Sequence, residues 1–210
     1  MKVLGIIPCR AGSKRLPGKN LLRLGSVPLW AIACQQGVMA GLEKVVVSTD
    51  IEEILGLSEF AERRPKELCA DNSPIEDTVA YVLSKHPGYE GVVLLNPTHP
   101  FRQVEDIKLC VEALDTFPSC TAVRKDYGYT LDEGARMTSL NQQDRVPRLT
   151  VTGSIYAVRV PAFIERRKLI IMGNINRGTY HLENGPFCDI DSQADYECAK
   201  ALWAWSRPLV

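Results

Sequence analysis

The chain lacks a surplus of either charge: Lys plus Arg number 25, Asp plus Glu number 25, and the formal net charge is +0. Without a basic excess, neither nucleic acid nor a membrane surface is expected as the main partner, and any anion site must be built locally. Paired cysteines are lacking too. The seven present (Cys9, Cys34, Cys69, Cys110, Cys120, Cys188 and Cys198) are odd in number and include no C-x-x-C spacing. That argues against both a structural zinc site and a disulfide framework. Nor does the chain open on a long hydrophobic run, since MKVLGIIPCR reaches Arg10 too soon for a signal segment or a membrane span. A reducing cytoplasm is the expected location, and no internal repeat or low-complexity tract interrupts the sequence.

The 210 residues fit one α/β domain spanning 1–210. Val3 to Cys9 is a short apolar run opening onto a stretch rich in glycine, proline and basic residues, the pattern of a buried parallel strand leading into a functional loop. Further strands are expected at Lys44 to Ser48, Gly91 to Leu95 and Ser154 to Val160. Helices are expected at Pro28 to Ala40, Asp50 to Ala61, Asp77 to Lys85, Gln103 to Leu114 and Ser192 to Trp205, the last capped by Ser192. Such alternation implies a mostly parallel sheet with helices on both faces and a ligand at the carboxyl ends of its strands. From Asp126 to Pro147 the sequence turns polar and weakly patterned, which suggests an excursion from the sheet.

Two segments carry chemistry. The run from Arg10 to Asn20 holds Arg10, Lys14, Arg15 and Lys19 together with Gly12, Pro17 and Gly18. Glycines let backbone N–H groups approach phosphate oxygens while Lys and Arg neutralise them, so the run suits a triphosphate. It is not a P-loop: five residues separate Gly12 from Gly18 where a P-loop has four, and Asn20 replaces Ser or Thr. A solvated basic turn would have the same composition. Near the other end, Asp189 and Asp191 stand at i and i+2, on one face of an extended chain, where they could share a Mg²⁺ with phosphate oxygens or simply flank a helix start. Asp50 fits either a helix cap or a place in the crevice. His86 is expected at the surface, and Cys9 as buried packing.

Taken together, IIPCRAGSKRLPGKN (6–20), VVVSTDIEEI (45–54), RPKELCAD (64–71), VVLLNPTHPFR (92–102), GSIYAV (153–158) and DID (189–191) resemble the acylneuraminate cytidylyltransferases, a family similar to the CMP-Kdo synthetases. The resemblance implies a Rossmann-like nucleotide-diphospho-sugar transferase fold with a small dimerisation excursion at about 126–150, usually assembled as a homodimer. It implies CMP transfer from CTP to a nonulosonic (sialic-acid-like) sugar acid, with release of pyrophosphate and Mg²⁺ as the cofactor. On this likeness Arg10, Ser13, Lys14, Lys19 and Asn20 hold the triphosphate, and Arg64 and Ser73 read cytosine. Asp189 and Asp191 ligate the metal and act in catalysis with Arg10 and Lys19. Asn96, His99, Tyr156 and Arg145 face the acceptor.

Departures from the family pattern fall mostly on the acceptor side. Asn96 stands where Gln is usual, followed by His99, and Gln142 lies about where an acceptor-binding Arg is expected, with Arg145 and Arg148 nearby. Two other readings stay open: CMP transfer to a different keto-acid sugar or a phosphonate, and a non-catalytic nucleotide-binding dimeric scaffold.

Overall fold

The computed structural model describes residues 1–127, 148–171, 179–183 and 188–206. Its strands are β1 (Val3–Cys9), β2 (Arg23–Leu24), β3 (Val27–Pro28), β4 (Lys44–Thr49), β5 (Ala61–Arg63), β6 (Gly91–Leu94), β7 (Ser119–Asp126), β8 (Arg148–Arg159) and β9 (Thr179–Glu183). Its helices are α1 (Leu29–Met39), α2 (Glu52–Leu57), α3 (Ile75–Lys85), α4 (Val104–Ala113), α5 (Val160–Arg166) and α6 (Gln193–Ser206). Seven strands form one sheet in the order β5-β4-β1-β6-β8-β7-β9, and β2 and β3 form a separate hairpin. Among the described strands of that sheet, β8 alone runs against its neighbours, antiparallel to both β6 and β7. Among the described residues no helix is long and apolar enough to cross a membrane.

Residue alternation along the central strands explains why helices cover both faces, because successive side chains of a strand point to opposite sides. Val3 and Ile7 of β1, Val45 and Val47 of β4 and Val93 of β6 pack with Trp30 and Ala33 of α1 and Ile107 and Cys110 of α4. Their in-between neighbours Leu4, Ile6, Val46, Val92 and Leu94 pack with Val79 and Val82 of α3 and Phe163 of α5. A third apolar cluster joins Leu16, Leu24, Leu29, Ile32, Ile190 and Ala199, fastening α6 to the hairpin and to the loop after β1.

Several elements differ from the expectation. The helix expected over Asp50 to Ala61 is only Glu52–Leu57, followed by the short strand β5. Gly56 weakens its end, the Ser58 hydroxyl accepts the Phe60 N–H at 3.2 Å, and Phe60 then offers its carbonyl to Val47, committing the chain to the sheet edge. β8 begins at Arg148 rather than Ser154, and Val160 opens α5 instead of ending the strand. Strands β5, β7 and β9, the hairpin and α5 have no counterpart in the sequence reading. The polar stretch begins at Asp126, which pairs with Arg148 just beyond its end, and 128–147 lies outside the described residues. Ser192 does cap α6: its hydroxyl accepts the Asp195 N–H, and the Asp195 carboxylate accepts the Ser192 N–H at 2.8 Å, a reciprocal capping box.

Candidate functional site

The loop after β1 is folded by its own polar groups. Gly18 takes a left-handed conformation (φ 66) that admits the 3₁₀ turn Lys19–Leu21 at no steric cost to a residue without Cβ. The buried Asn20 side chain donates to the Arg10 carbonyl at 2.9 Å, joining the end of the loop to its start. Asp50 proves not to be a helix cap: α2 has no side-chain cap, and the Asp50 carboxylate accepts the Ala11 N–H at 2.8 Å. The carboxyl end of β4 thereby tethers the loop on that side.

The acidic segment arrives from the other end of the chain. Ile190 is fully buried in the third cluster and its N–H bonds to the Thr98 carbonyl at 3.0 Å. Both flanking carboxylates, Asp189 and Asp191, line the same cavity. Lys19 donates to one Asp191 oxygen at 2.9 Å, and Arg15 meets the other at 2.8 Å. Burial acts to raise the Asp191 pKa, but the Lys19 hydrogen bond and the two cationic charges outweigh it and leave the carboxyl below its ordinary range. Asp189 goes the opposite way. Burial raises it, the Thr98 hydroxyl offsets part of that, and the charge of Asp191 adds to the rise.

His99, buried beside this pair, has Nε2 3.6 Å from an Asp189 oxygen. Burial and then the Arg102 charge push its pKa down to about 3, so the ring is neutral near pH 7. His86, expected at the surface, is part-buried and pairs with Glu62 at 2.7 Å.

Arg64 opens the segment that closes the third side. It is buried, and its guanidinium donates through Nε (3.0 Å) and Nη2 to the Thr78 hydroxyl of α3. Ser73 lines the cavity from the same segment. Between them stands Asp71, a residue that sequence reasoning passed over although it ends the RPKELCAD block. One of its oxygens accepts Arg10 at 2.7 Å and the other accepts Lys14 at 2.5 Å.

The floor is fixed by a buried arginine with neutral partners. Arg102 donates to the Ser154 carbonyl, the Gln36 side chain and the Asn96 carbonyl, each at 2.7 Å. Asn96 in turn donates to the Gly153 carbonyl at 2.8 Å, locking the turn after β6 to β8. Tyr156 of β8 forms part of the wall.

Arg10, Lys19, Asn20, Arg64, Ser73, Asn96, His99, Tyr156, Asp189 and Asp191 thus all border one cavity of about 440 Å³. Ser13 and Lys14 border instead an adjoining recess of about 310 Å³ that shares Arg10, Lys19 and Asn20 with it. Arg145 lies outside the described residues. Asp71, Thr98, Thr152 and Gly153 also border the main cavity. All except Thr152 stand inside sequence blocks already singled out, so the blocks pointed to them even though the individual residues did not.

The Cytidylyltransferase family model matches residues 4–184. CMP-N,N'-diacetyllegionaminic acid synthase of Legionella pneumophila is 38% identical over 122 residues, covering 53% of this chain and 53% of that protein. N-acylneuraminate cytidylyltransferase of Escherichia coli is 37% identical over 117 residues, covering 51% of this chain and 28% of that protein. The chain therefore spans about half the length of the first relative and less of the second. Pseudaminic acid cytidylyltransferase of Campylobacter jejuni is 24% identical over 227 residues, covering 97% of each chain. Among solved structures, a CMP:2-keto-3-deoxy-manno-octonic acid synthetase complexed with CTP superposes with a TM-score of 0.75 at 17% identity, covering 99% of this chain and 100% of that one. That likeness shows the fold: a mostly parallel nucleotidyltransferase sheet with helices on both faces.

Proposed function

The chain belongs to the cytidylyltransferase family, and from that premise we propose that it transfers CMP from CTP to a nonulosonic (sialic-acid-like) sugar acid, releasing pyrophosphate. The observation that carries this reading is the meeting of Lys19 and Asp191 at 2.9 Å in a cavity that also holds Arg10, Arg64 and Asp189. A triphosphate needs cations and, commonly, a divalent metal brought to one place, and these residues supply both kinds of partner.

In the proposed reaction an acceptor hydroxyl attacks the α-phosphorus in line while pyrophosphate leaves. No covalent nucleophile is required, so the work is positioning and charge neutralisation. Arg10 and Lys19 bind and neutralise the phosphates, with Ser13, Lys14 and Asn20 at the triphosphate's far end. Arg64 and Ser73 face the cytosine. Asn96, His99 and Tyr156 orient the acceptor, and Arg145 is assigned to the same task on family resemblance alone. His99, being neutral, can donate or accept a hydrogen bond there without repelling a cation.

Asp189 and Asp191 would hold Mg²⁺. The donor set fits: two carboxylates border one cavity, and the raised pKa of Asp189 marks a carboxylate that gains from a cation beside it. Among the described residues no three ligating side chains converge, so phosphate oxygens and water would complete the coordination, as Mg²⁺ prefers. When bound, the ion would offset charge on the reacting phosphate.

A homodimer in the cytoplasm accords with the same reading. Exposed Tyr127, Leu149 and Val151 on the outer half of the β7–β8 ribbon offer apolar surface for a second copy, testable by sedimentation. For the activity, a pyrophosphate-release screen crosses the four nucleoside triphosphates with nonulosonic acids, other keto-acid sugars and phosphonates. Release that requires CTP, Mg²⁺ and a nonulosonic acid together is expected. A preference for UTP or ATP removes the cytidylyl assignment, another preferred acceptor replaces the sugar acid, and no release with any pair leaves a nucleotide-binding scaffold.

A further inference from the structure

Every cation of the loop after β1 already has a carboxylate partner. Asp191 takes Arg15 and Lys19, and Asp71 takes Arg10 and Lys14. The two carboxylates differ in what else they do. Asp191 stands two residues from Asp189 in the acidic pair, whereas Asp71 belongs to the segment carrying Arg64 and Ser73 and has no part in the reaction described above. Its two oxygens each hold one cation, at 2.7 and 2.5 Å, much as two oxygens of a phosphate would.

We propose that Asp71 is a resident counter-ion that occupies Arg10 and Lys14 in place of the nucleotide's phosphates, yields them when triphosphate enters, and reclaims them to help pyrophosphate leave. This rests on reading the loop as a triphosphate site. A carboxylate carries one negative charge and a polyphosphate several, so the bound ligand outcompetes Asp71. Once the bond to the α-phosphorus is broken, however, the tethered carboxylate is always at hand to exchange with the leaving group.

Exposure permits the exchange. The Asp71 side chain is 43% exposed and that of Lys14 82% exposed, so solvent screens the pair and breaking it costs little in each cycle. Arg10 remains anchored when Asp71 lets go, because its Nη1 also donates to the Cys69 carbonyl at 3.3 Å. Lys14, with no such anchor among its described contacts, is the cation that swings.

The test compares the full chain with Asp71→Asn, and with Asp71→Ser should the amide fail to fold, using inorganic pyrophosphate alone as the calorimetric probe. Loss of the competing charge is expected to tighten pyrophosphate binding about two- to five-fold, the range a solvent-screened ion pair allows. With CTP, the same variant should show a lower KM together with a lower kcat and stronger product inhibition. A merely structural role would weaken binding instead, so equal or weaker pyrophosphate affinity in the variants overturns the proposal, as does absence of binding throughout. In a Lys14→Met background the gain from Asp71→Asn must shrink; an undiminished gain also overturns it. Tighter pyrophosphate binding with no turnover of CTP by the parent chain would sink the cytidylyltransferase reading and leave the counter-ion standing, while normal turnover without tightening would sink the counter-ion alone.

Discussion

Lys19 and Asp191, 172 positions apart in sequence, are joined by a 2.9 Å hydrogen bond on the wall of the cavity. Asp191→Ala and Lys19→Met should each cut pyrophosphate release about a hundred-fold or more, the scale seen when a preorganised charged group is removed from a phosphate or oxyanion site. The fold should persist. A partly exposed pair contributes on the order of 1 kcal/mol, which shifts the melting temperature of a chain this long by about 3 °C. Turnover at the parental rate in either variant, with calorimetry confirming the fold, would remove these residues from the chemistry.

Thr78 is a stability prediction with a site consequence. Thr78→Val keeps the shape but takes away the hydroxyl that accepts both Nε and Nη2 of buried Arg64. Leaving a buried charged donor without its acceptor should cost about 1 to 3 kcal/mol in a urea titration. The KM for CTP should rise as Arg64 shifts, and an unchanged urea midpoint would show that water replaces the hydroxyl.

Much of the candidate site was legible in the sequence because the blocks that resemble the family hold most of the residues bordering the cavity. Four cations among glycines straight after a buried strand point to a polyphosphate, and a D-x-D pair points to a cation. Asp71 escaped notice, because a lone aspartate in a polar segment has the composition of any exposed turn, and only the fold brings it to Arg10 and Lys14. The central strands were equally plain, since β1, β4 and β6 are buried on both faces and read as unbroken apolar runs. β7 was missed because its buried half, SCTAV, is small and mixed while its outer half is charged and exposed. β5 is three residues at a sheet edge, too short for any periodicity to show.

Gly153 borders the cavity and holds φ +78. A methyl group there would lie 3.3 Å from His99 Nε2 and 3.7 Å from the Tyr156 hydroxyl. Gly153→Ala therefore combines a left-handed conformation, unfavourable by about 1 to 2 kcal/mol for a residue with Cβ, with pressure on His99 and Tyr156, the wall proposed for the acceptor. The KM for the acceptor should rise more than that for CTP in steady-state kinetics. Equal effects on both would mean that the strain spreads through the whole site.

Hydrogen bonds from Lys14 and Arg10 hold the Asp71 carboxyl below its ordinary value of 3.8. A depressed carboxylate stabilises the fold above that value and loses the contribution as the pH falls through the folded pKa. The melting temperature of Asp71→Asn should accordingly lie below that of the parent at neutral pH, and the gap should close under about pH 4. A gap that persists in acid would trace the difference to packing rather than charge.

Leu16 from the loop and Ile190 from between the two aspartates share one apolar cluster, so greasy side chains that never meet a ligand set the spacing between the cationic and acidic walls. Adding or deleting a single methylene at either position would press on or loosen the packing between the two walls. Fine adjustment of the gap between those walls is thus open to silent hydrophobic drift beneath the pocket, with every charged group left in place.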